Sequence, residues 1–569
     1  MDLAGLAAKR LPLIRFVLIL ALMPGLGGRL WGQVALDEVK QLAAQERWQE
    51  IVNLADKTSP RSADLDYYYG TALAHLGQWG AAREAFLAGM QSRPDDEKFP
   101  LELAGVAFKQ KHYPESVRYL RRALRLAPGD DYANDFLATV YYLQGNVEAA
   151  IKYWNRAGKP RIASVKTDPE PRMDPVLLDH ALEFAPASTL ELPELLASEA
   201  RIRGLGIFSS FNFGVLARED GSFDVTFQNN ERNGFGANKW EALVRVFRNL
   251  PSQAVNPEYY NLRGKAINIV SMYRWDAEKR RVRAEISAPW RGEPRRRLLL
   301  GADLLNENWD IRSSFTGSVP LLGSLNQRRE AVNASITSFP SGRWNWNAGV
   351  ELSHRDFRSV VAGTALTPGV LAQGFQLKQT AGINANVWYL PERRMTVSAG
   401  LSSQAGRIWS SPSQGFEKLQ ASVLFHWLPQ STGDDYEIQH QLRGGKTWGE
   451  VPFDELFMLG GLGDNNLFMR GHITTHHGRK GSGPLGRNYF LSNWEIDKNV
   501  YRNSFLTLKA GPLLDVGKIT DPSPGLGSHK WLWDTGGQIK ARALGVGVAL
   551  SYGKDLRSGN DAVFITMLF

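Results

Sequence analysis

From about residue 265 to the C-terminus, hydrophobic and polar residues alternate with a period of two. In the segment RVRAEISAPW, for example, Val282, Ile286 and Trp290 share one face, while arginine and glutamate side chains share the other. This alternation predicts β-strands with one apolar face. Strands of about ten residues with aromatic ends and a charged opposite face are typical of membrane barrels, where lipid lies outside and water inside. The pattern therefore predicts a C-terminal antiparallel transmembrane β-barrel.

An earlier part of the chain repeats with a period of 34 residues. Gly70, Ala104 and Ala138 occupy equivalent positions at this spacing. The other equivalent sets are Ala82, Ser116 and Ala150; Phe86, Leu120 and Trp154; and Gly89, Ala123 and Ala157. The pattern resembles tetratricopeptide repeats, in which small residues let paired helices approach and large ones fill the gap between pairs.

The repeat predicts an α-helical solenoid over residues 33–160, with stacked antiparallel helix pairs from Ser62 to Ala157. The residues expected to be buried between the helices are Ala82, Phe86, Leu120, Ala150 and Trp154. A solenoid of this kind offers a concave surface to an extended peptide or a partner protein. A simple spacer between domains is the alternative interpretation.

Three other segments lie outside this solenoid, one before it and two after it. Residues 1–32 combine Lys9 and Arg10 with a short apolar stretch and predict a signal peptide, whereas a membrane anchor would need a longer apolar run. Residues 161–175 are rich in proline and charge and predict a linker. In residues 176–232, LDHALEFAP, FNFGVLARED and SFDVTFQNN predict strands and LPELLASEARIRG predicts a helix. This unit resembles a single POTRA module, and an isolated α+β domain is the alternative.

Composition narrows the classes of function. The 569 residues carry a net charge of +9 that is spread along the chain, which is not the footprint of a nucleic-acid-binding protein. The absence of cysteine excludes disulfides, thiolate metal sites and cysteine nucleophiles. The sequence contains no G-x-S-x-G motif and no P-loop or dinucleotide fingerprint. We therefore expect no enzyme and no cofactor.

The last strand ends the chain on an aromatic residue. In DAVFITMLF, one face carries Val563, Ile565, Met567 and Phe569. This arrangement resembles the terminal β-signal by which outer-membrane barrels are recognised for assembly. An ordinary apolar final strand is the alternative.

The most informative stretch is LFMRGH, around Arg470. Together with the preceding FMLGGLGDNN and the following YFLSNWEID and LKAGPLLDVGKI, it resembles the BamA/TamA-type outer-membrane insertase and translocator superfamily. The resemblance implies that Arg470 and Gly471 form the tip of a lid loop inside the barrel. It also implies that Glu495, and Asp515 with Gly517, lie on the strands that hold the arginine. A guanidinium in a lumen needs a carboxylate partner, and glycine lets the backbone approach the wall.

One position departs from the family pattern. His472 stands where the family usually carries an aromatic residue. His472, His476 and His477 lie close together, so a metal site is conceivable, but the neighbouring sequence supplies no further carboxylate or thiol. We therefore expect a solvated lid loop and no metal.

The resemblance covers residues 262–569 and bears on the number of strands. The resemblance implies that the modules before the barrel and the end of the last strand lie in the periplasm and that the lid faces outward, so the number of crossings must be even, with odd numbers on each side of the lid. Nine strands are evident before the lid and four after it, and parity places a fifth within KWLWDTGGQIK. The total is fourteen by direct count. It is sixteen by resemblance, the extra pair coming from LLLGADLLNENWDIRSSF or from residues 357–374.

Two functions remain open. The first is insertion of client proteins into the outer membrane, or their translocation across it, with periplasmic repeats that capture clients or accessory envelope proteins. Here a weak seam between residues 266–275 and 563–569 offers unpaired backbone for strand addition. The second is a passive or gated pore with a tetratricopeptide-repeat tether. In both cases the partners include outer-membrane lipid and lipopolysaccharide, and no nucleic acid.

Overall fold

The structure is a computed structural model that describes residues 36–312, 321–361, 363, 366–461, 465–523, 525–528, 530–543 and 546–568. The expected signal peptide, residues 1–32, lies outside the described residues. The chain divides into two compact units, Met1–Gln144 and Gly145–Phe569. No helix in the described ranges combines the length and the apolar character needed to cross a membrane.

The first unit is helical. Side-chain caps begin two of its helices: the Ser62 hydroxyl accepts the N–H of Leu65, and the Asp130 carboxylate accepts those of Tyr132 and Ala133. After a helix over residues 36–44, its elements are α1 Trp48–Asp56, α2 Ala63–His75, α3 Trp79–Ser92, α4 Lys98–Lys109, α5 Tyr113–Leu126 and α6 Asp131–Leu143.

Small residues set the distance between neighbouring helices, as the repeat predicts. Helix α2 packs against α3, and α4 packs against α5. A Cβ atom on Gly70 would lie 2.6 Å from the Phe86 ring, and one on Gly89 would lie 2.1 Å from the Phe99 ring. Ala82 and Leu120 are fully buried. The predicted antiparallel helix pairs are therefore confirmed for this unit.

The second unit begins with a helix and a small α+β module. Helix α7, Val147–Trp154, buries Ala150 and Trp154 as predicted, and the Trp154 ring lies 4.9 Å from that of Phe223. The module comprises β1 Ile162–Asp168, α8 Pro175–Ala181, α9 Leu192–Leu205, β2 Phe208–Ala217 and β3 Phe223–Glu231. Strand β3 lies between β1, to which it is parallel, and β2, to which it is antiparallel.

Two predictions for this module are wrong. The expected linker, 161–175, contains β1, whose polar residues Ser164 and Lys166 contact Asp224 on β3 and hide the strand from a hydrophobicity pattern. The first four residues of LDHALEFAP, expected as a strand, lie in helix α8, and the other five form no strand. The Asp174 carboxylate caps that helix, and Pro175 presets its first turn. Helix α9 and strands β2 and β3 are confirmed.

Beyond the module lie a short helix and a large antiparallel sheet. Helix α10 spans Lys239–Phe247 and β4 spans Glu258–Leu262. Fourteen longer strands follow: β5 Ile267–Trp275, β6 Lys279–Trp290, β7 Glu293–Arg312, β8 Leu321–Ser338, β9 Trp344–Val361, β10 Gly374–Leu390, β11 Met395–Trp409, β12 Gln414–Trp427, β13 Tyr436–Gly449, β14 Asn488–Arg502, β15 Leu506–Thr520, β16 Leu532–Ala543, β17 Val546–Asp555 and β18 Asp561–Leu568.

Each of these strands pairs with the next along the chain. The sheet is rolled into a barrel whose strand order places the short strand Ala254–Val255 between β18 and β4. Along β9, Val350 and Leu352 are exposed, whereas Ser353 and Arg355 on the opposite face are buried. The period of two in the sequence thus corresponds to an apolar outer face and a polar inner face.

The strand count after the lid agrees with parity. Five strands, β14–β18, follow Arg470, and β16 contains most of KWLWDTGGQIK. The two places proposed for an extra pair before the lid are wrong. Strand β7 continues unbroken to Arg312, and residues 368–371 form a 3-10 turn. Two further strands precede β5 in the sheet: the short strand Ala254–Val255, and β4, which ends at the predicted barrel start, residue 262.

The predicted seam between β5 and β18 is also wrong. The edge of β5 that faces away from β6 is already hydrogen-bonded to the preceding chain. Tyr259 pairs with Ile269, Ala254 pairs with Arg274, and the Trp275 N–H donates to the Gln253 carbonyl at 3.0 Å. The short strand Ala254–Val255 and β4, not β18, therefore pair with this edge of β5.

Close helix packing at Gly89 gives a test of the first unit. Gly89→Ala introduces a methyl group into the Phe99 ring and should destabilise the helices by about 1–3 kcal/mol. Gly105→Ala is the matched control, because a Cβ there meets nothing within 4 Å. Removing a helical glycine at that open site should stabilise by about 0.5–1 kcal/mol. Thermal unfolding followed by far-ultraviolet circular dichroism measures both changes, and equal midpoints for the two variants would refute the packing.

Candidate functional site in the lid loop

The connection between β13 and β14, residues 450–487, is the lid loop. The structure describes residues 450–461 and 465–487 of it. Its charged side chains contact three separate groups of strands, which shows that the sheet curls around the loop. Each contact pairs a charge of the loop with opposite charges on the inner face of the sheet.

Arg470 makes the central contact. Its Nε and Nη2 atoms donate to the two carboxylate oxygens of Asp515 at 2.9 and 2.5 Å, and Nη1 donates to Glu495 at 2.5 Å. The backbone N–H of Arg470 also donates to Asp515, at 2.9 Å. The structure thus brings together Arg470, Glu495 and Asp515, as the sequence predicts. A two-pronged guanidinium–carboxylate pair fixes orientation as well as charge.

A second layer of polar groups holds these carboxylates in place. Asn493 donates to Asp515 at 2.7 Å, and Lys540 donates to Glu495 at 2.7 Å and to Asp497 at 2.6 Å. Burial would lower the pKa of Arg470, but Asp515 and Glu495 outweigh it and raise that pKa above its ordinary value. Arg470 therefore stays charged in its buried position.

Glycines allow the loop tip to lie against the strands. The Gly471 N–H donates to Asp534 at 2.6 Å, and a Cβ on Gly471 would lie 2.5 Å from the backbone nitrogen of Asp555. A Cβ on Gly517 would lie 2.6 Å from the sulfur of Met469. The absence of a side chain at Gly517 therefore leaves space for Met469, the residue before Arg470.

The prediction for His472 is wrong. Its side chain is buried, with Nδ1 2.8 Å from Asp534 and Nε2 3.6 Å from Asp555. These carboxylates come from β16 and β17, which sequence proximity does not reveal. The ligand atoms of the three residues lie within 4.8 Å of one another and could hold a cation. His477 is exposed, as expected, and His476 is partly so.

A second contact lies at the start of the lid loop, in the 3-10 turn Phe453–Glu455. Asp454 accepts from Arg355 at 2.7 Å, and Glu455 accepts from Lys378 at 2.8 Å and Lys418 at 3.2 Å. Burial alone would raise the pKa of Glu455, but Lys378 and Lys418 hold it well below its ordinary value. Strands β9, β10 and β12 thus form a basic wall that receives an acidic turn.

The third contact lies near the end of the lid loop. Lys480 pairs with Glu307 at 3.1 Å, and Arg479 pairs with Glu278 at 3.0 Å and Asp310 at 3.2 Å. Sequence analysis missed both this contact and the second one. The signal for the second was present in VPFDELF, where two acidic residues interrupt an apolar run.

The predicted β-signal residues lie on β18. Val563 and Ile565 are 64% and 74% exposed, on the apolar outer face. Met567 is partly buried, and Phe569 lies outside the described residues. Their role in recognition stays a prediction.

Known proteins resemble parts of this chain. Residues 101–164 match the family model described as tetratricopeptide repeat, which agrees with the predicted repeats. No curated protein matches the sequence. Solved structures similar to the chain include CdiB from Escherichia coli, 13% identical over 72% of this chain and 75% of that chain, with a TM-score of 0.46.

Two further structures are BamA from Haemophilus ducreyi lacking POTRA domains 1–3 and MamA. BamA is 12% identical over 72% of this chain and 85% of its own, with a TM-score of 0.41. MamA is 17% identical over 22% of this chain and 75% of its own, with a TM-score of 0.22. Such low identities transfer no activity to this chain.

The central contact predicts a large difference between two arginines of one loop. Arg470→Ala leaves Asp515 and Glu495 without their buried partner and should destabilise the barrel by about 3–5 kcal/mol. Arg479→Ala is the control, because its ion pairs are 42% exposed on the arginine side and should contribute less than about 1 kcal/mol. The measurement is heat unfolding in detergent, followed by tryptophan fluorescence. Similar losses in the two variants would contradict the assignment.

Proposed function

We propose that this chain is an outer-membrane protein that inserts client proteins into the outer membrane or passes them across it. The observation that carries the proposal is the lid loop, with Arg470 paired to Asp515 and Glu495 within the barrel. A simple diffusion pore has no need of a buried arginine with dedicated carboxylates on two strands. The N-terminal helices and the α+β module would lie in the periplasm, where they receive clients.

A polar cavity beside Arg470 supports an entry path. The cavity has a volume of about 650 Å³, and its lining includes Asp434, Glu437, Arg502 and Lys509. Arg502 ends β14 next to the turn into β15, at the end of the barrel away from the lid loop. Charges of both signs suit an unfolded polypeptide, which carries both and exposes backbone groups.

Strand addition is the mechanism we infer for insertion. A client strand can extend a sheet only where backbone N–H and C=O groups become accessible. In this chain we infer that such an exchange occurs between β18 and the strands that precede β5, because both edges of β5 are paired. Outer-membrane lipid and lipopolysaccharide surround the barrel in this proposal, and accessory envelope proteins would bind the repeats.

The passive or gated pore is the second candidate. The lid loop opposes it, because the loop is held on three groups of strands and occupies the interior between them. A pore would conduct only after the loop moved. A conductance measurement alone therefore discriminates poorly between a pore and a protein that inserts or translocates clients. An inventory of client proteins discriminates better.

Depletion of the protein, followed by proteomics of the outer membrane and of the secreted fraction, tests the proposal. We expect a defined set of outer-membrane or secreted proteins to fall severalfold, and wild-type protein or Arg479→Ala to restore them. Arg470→Ala should restore these proteins less than wild-type protein does when both are present in the membrane at the same level. An unchanged protein inventory, with altered uptake of small solutes only, would favour the pore.

A further inference from the structure

The chain between β3 and β4 runs along the full length of β5. At one end, Gly234 exchanges two backbone hydrogen bonds with Tyr260, at 3.0 and 2.7 Å. At the other end, the Gln253 carbonyl accepts the N–H of Trp275, the last residue of β5. Helix α10 lies between these two points. Residues 232–253 therefore run beside the sheet in one direction, and β4 then runs back along β5 in the opposite direction.

This segment occupies the outer backbone edge of β4. Alternate residues of a strand direct their backbone groups to opposite neighbours. On β4 and the residue before its neighbour Pro257, the groups that face away from β5 belong to Asn256, Glu258 and Tyr260. The Asn256 N–H donates to the Val246 carbonyl at 2.8 Å, and Tyr260 is bound to Gly234. At Asn256 and Tyr260, positions that a neighbouring strand would use are thus filled by the chain itself.

The polar face of α10 is directed at β4. Glu241 accepts from Arg232 at 2.8 Å and from Arg245 at 3.0 Å. Arg245 donates to Glu258 at 2.6 Å and to the Tyr260 hydroxyl at 2.9 Å. Glu241, Arg245 and Glu258 are all buried. The charged side of the helix is therefore satisfied within the protein.

The opposite face of α10 is apolar and exposed. Trp240, Leu243 and Phe247 follow one another at intervals of three and four residues, which places them on one side of the helix, and Leu250 begins the 3-10 turn that follows it. Their exposed fractions are 67%, 50%, 45% and 49%. A continuous apolar face of this size, backed by a charged face, is unusual for a surface in water and typical of a helix that contacts lipid.

The apolar face continues that of the sheet. The ring of Phe235, just before α10, packs edge-on at 5.4 Å against Tyr259. Tyr259 pairs with Ile269, and cross-strand partners share one face of a sheet. Ile269, Tyr273 and Trp275 alternate along that face and are all exposed. The apolar residues near α10 therefore lie on the outer side of the barrel.

We propose that α10 is a lipid-facing helix: its apolar side lies against the hydrocarbon of the bilayer, and its charged side covers the edge of β4. The inference rests on the membrane location included in the proposed function. It does not depend on whether the protein assembles clients or conducts solutes. A helix in place of a strand at this edge would leave the boundary between β18 and the beginning of the sheet without a regular hydrogen-bond ladder.

The absence of cysteine allows a direct test by spin labelling. Leu243→Cys places the label on α10, and Val350→Cys places it on the outer face of β9 at the same exposure, 50%. Leu216→Cys, 64% exposed on β2, is the control in water. The full chain is reconstituted in phosphatidylethanolamine–phosphatidylglycerol vesicles. Accessibility to oxygen and to a water-soluble nickel chelate is then measured by electron paramagnetic resonance.

We expect the ratio of oxygen to nickel accessibility at position 243 to match that at 350 within about twofold and to exceed that at 216 by roughly tenfold. A water-like ratio at 243, beside a lipid-like ratio at 350, overturns the inference while leaving the membrane location intact. Low accessibility to both reagents at 243 means that protein covers the helix and also overturns it. A water-like ratio at position 350 contradicts the proposed membrane location itself. Trp240→Cys, on the same face, replaces Leu243→Cys if that variant fails to fold.

Discussion

A buried guanidinium must be neutralised where it lies, and this requirement organises the interior of the barrel. Arg470 finds its charge partners on β14 and β15, and the next residues of the loop find theirs on β16 and β17. The acidic turn at Asp454 and Glu455 meets the opposite, basic group of strands. One loop can satisfy both sets only if the sheet curls around it. Charge complementarity between loop and wall is therefore coupled to the curvature of the sheet.

The two ends of the sheet are built differently. At the far end, β18 exposes Val563 and Ile565 on the outer face. At the beginning, β4 is bound on one side by β5 and on the other by segment 232–253, whose helix offers no continuous ladder. Exposed edges invite pairing with other strands, and proteins usually cover them. A cover made of a short helix protects the edge in the resting protein and is easier to displace than a full strand.

Much of this architecture could be predicted from the sequence, because it rests on periodicity. The period of 34 predicted the helix pairs around Gly70 and Gly89, and the period of two predicted the inner and outer faces of the sheet. The requirement for an even number of membrane crossings predicted β16, although its glycines weaken the strand pattern. The failures concern features without a period. Strand β1 is held by polar contacts with Asp224, α8 is begun by an Asp–Pro cap, and His472 meets carboxylates more than sixty residues away in the chain. Helix α10 was missed because its nine residues are too few for a helical period to stand out.

The central claim is that Arg470 and Asp515 hold the lid loop in place as a coupled pair. A double-mutant cycle with Arg470→Ala and Asp515→Ala tests it most directly, with hydrogen exchange of the Gly471 amide as the measure of lid opening, since that N–H is bound to Asp534. The account predicts that the two substitutions are non-additive by about 2 kcal/mol or more, because removing either partner already breaks the pair. Effects that add to within about 0.5 kcal/mol would contradict it.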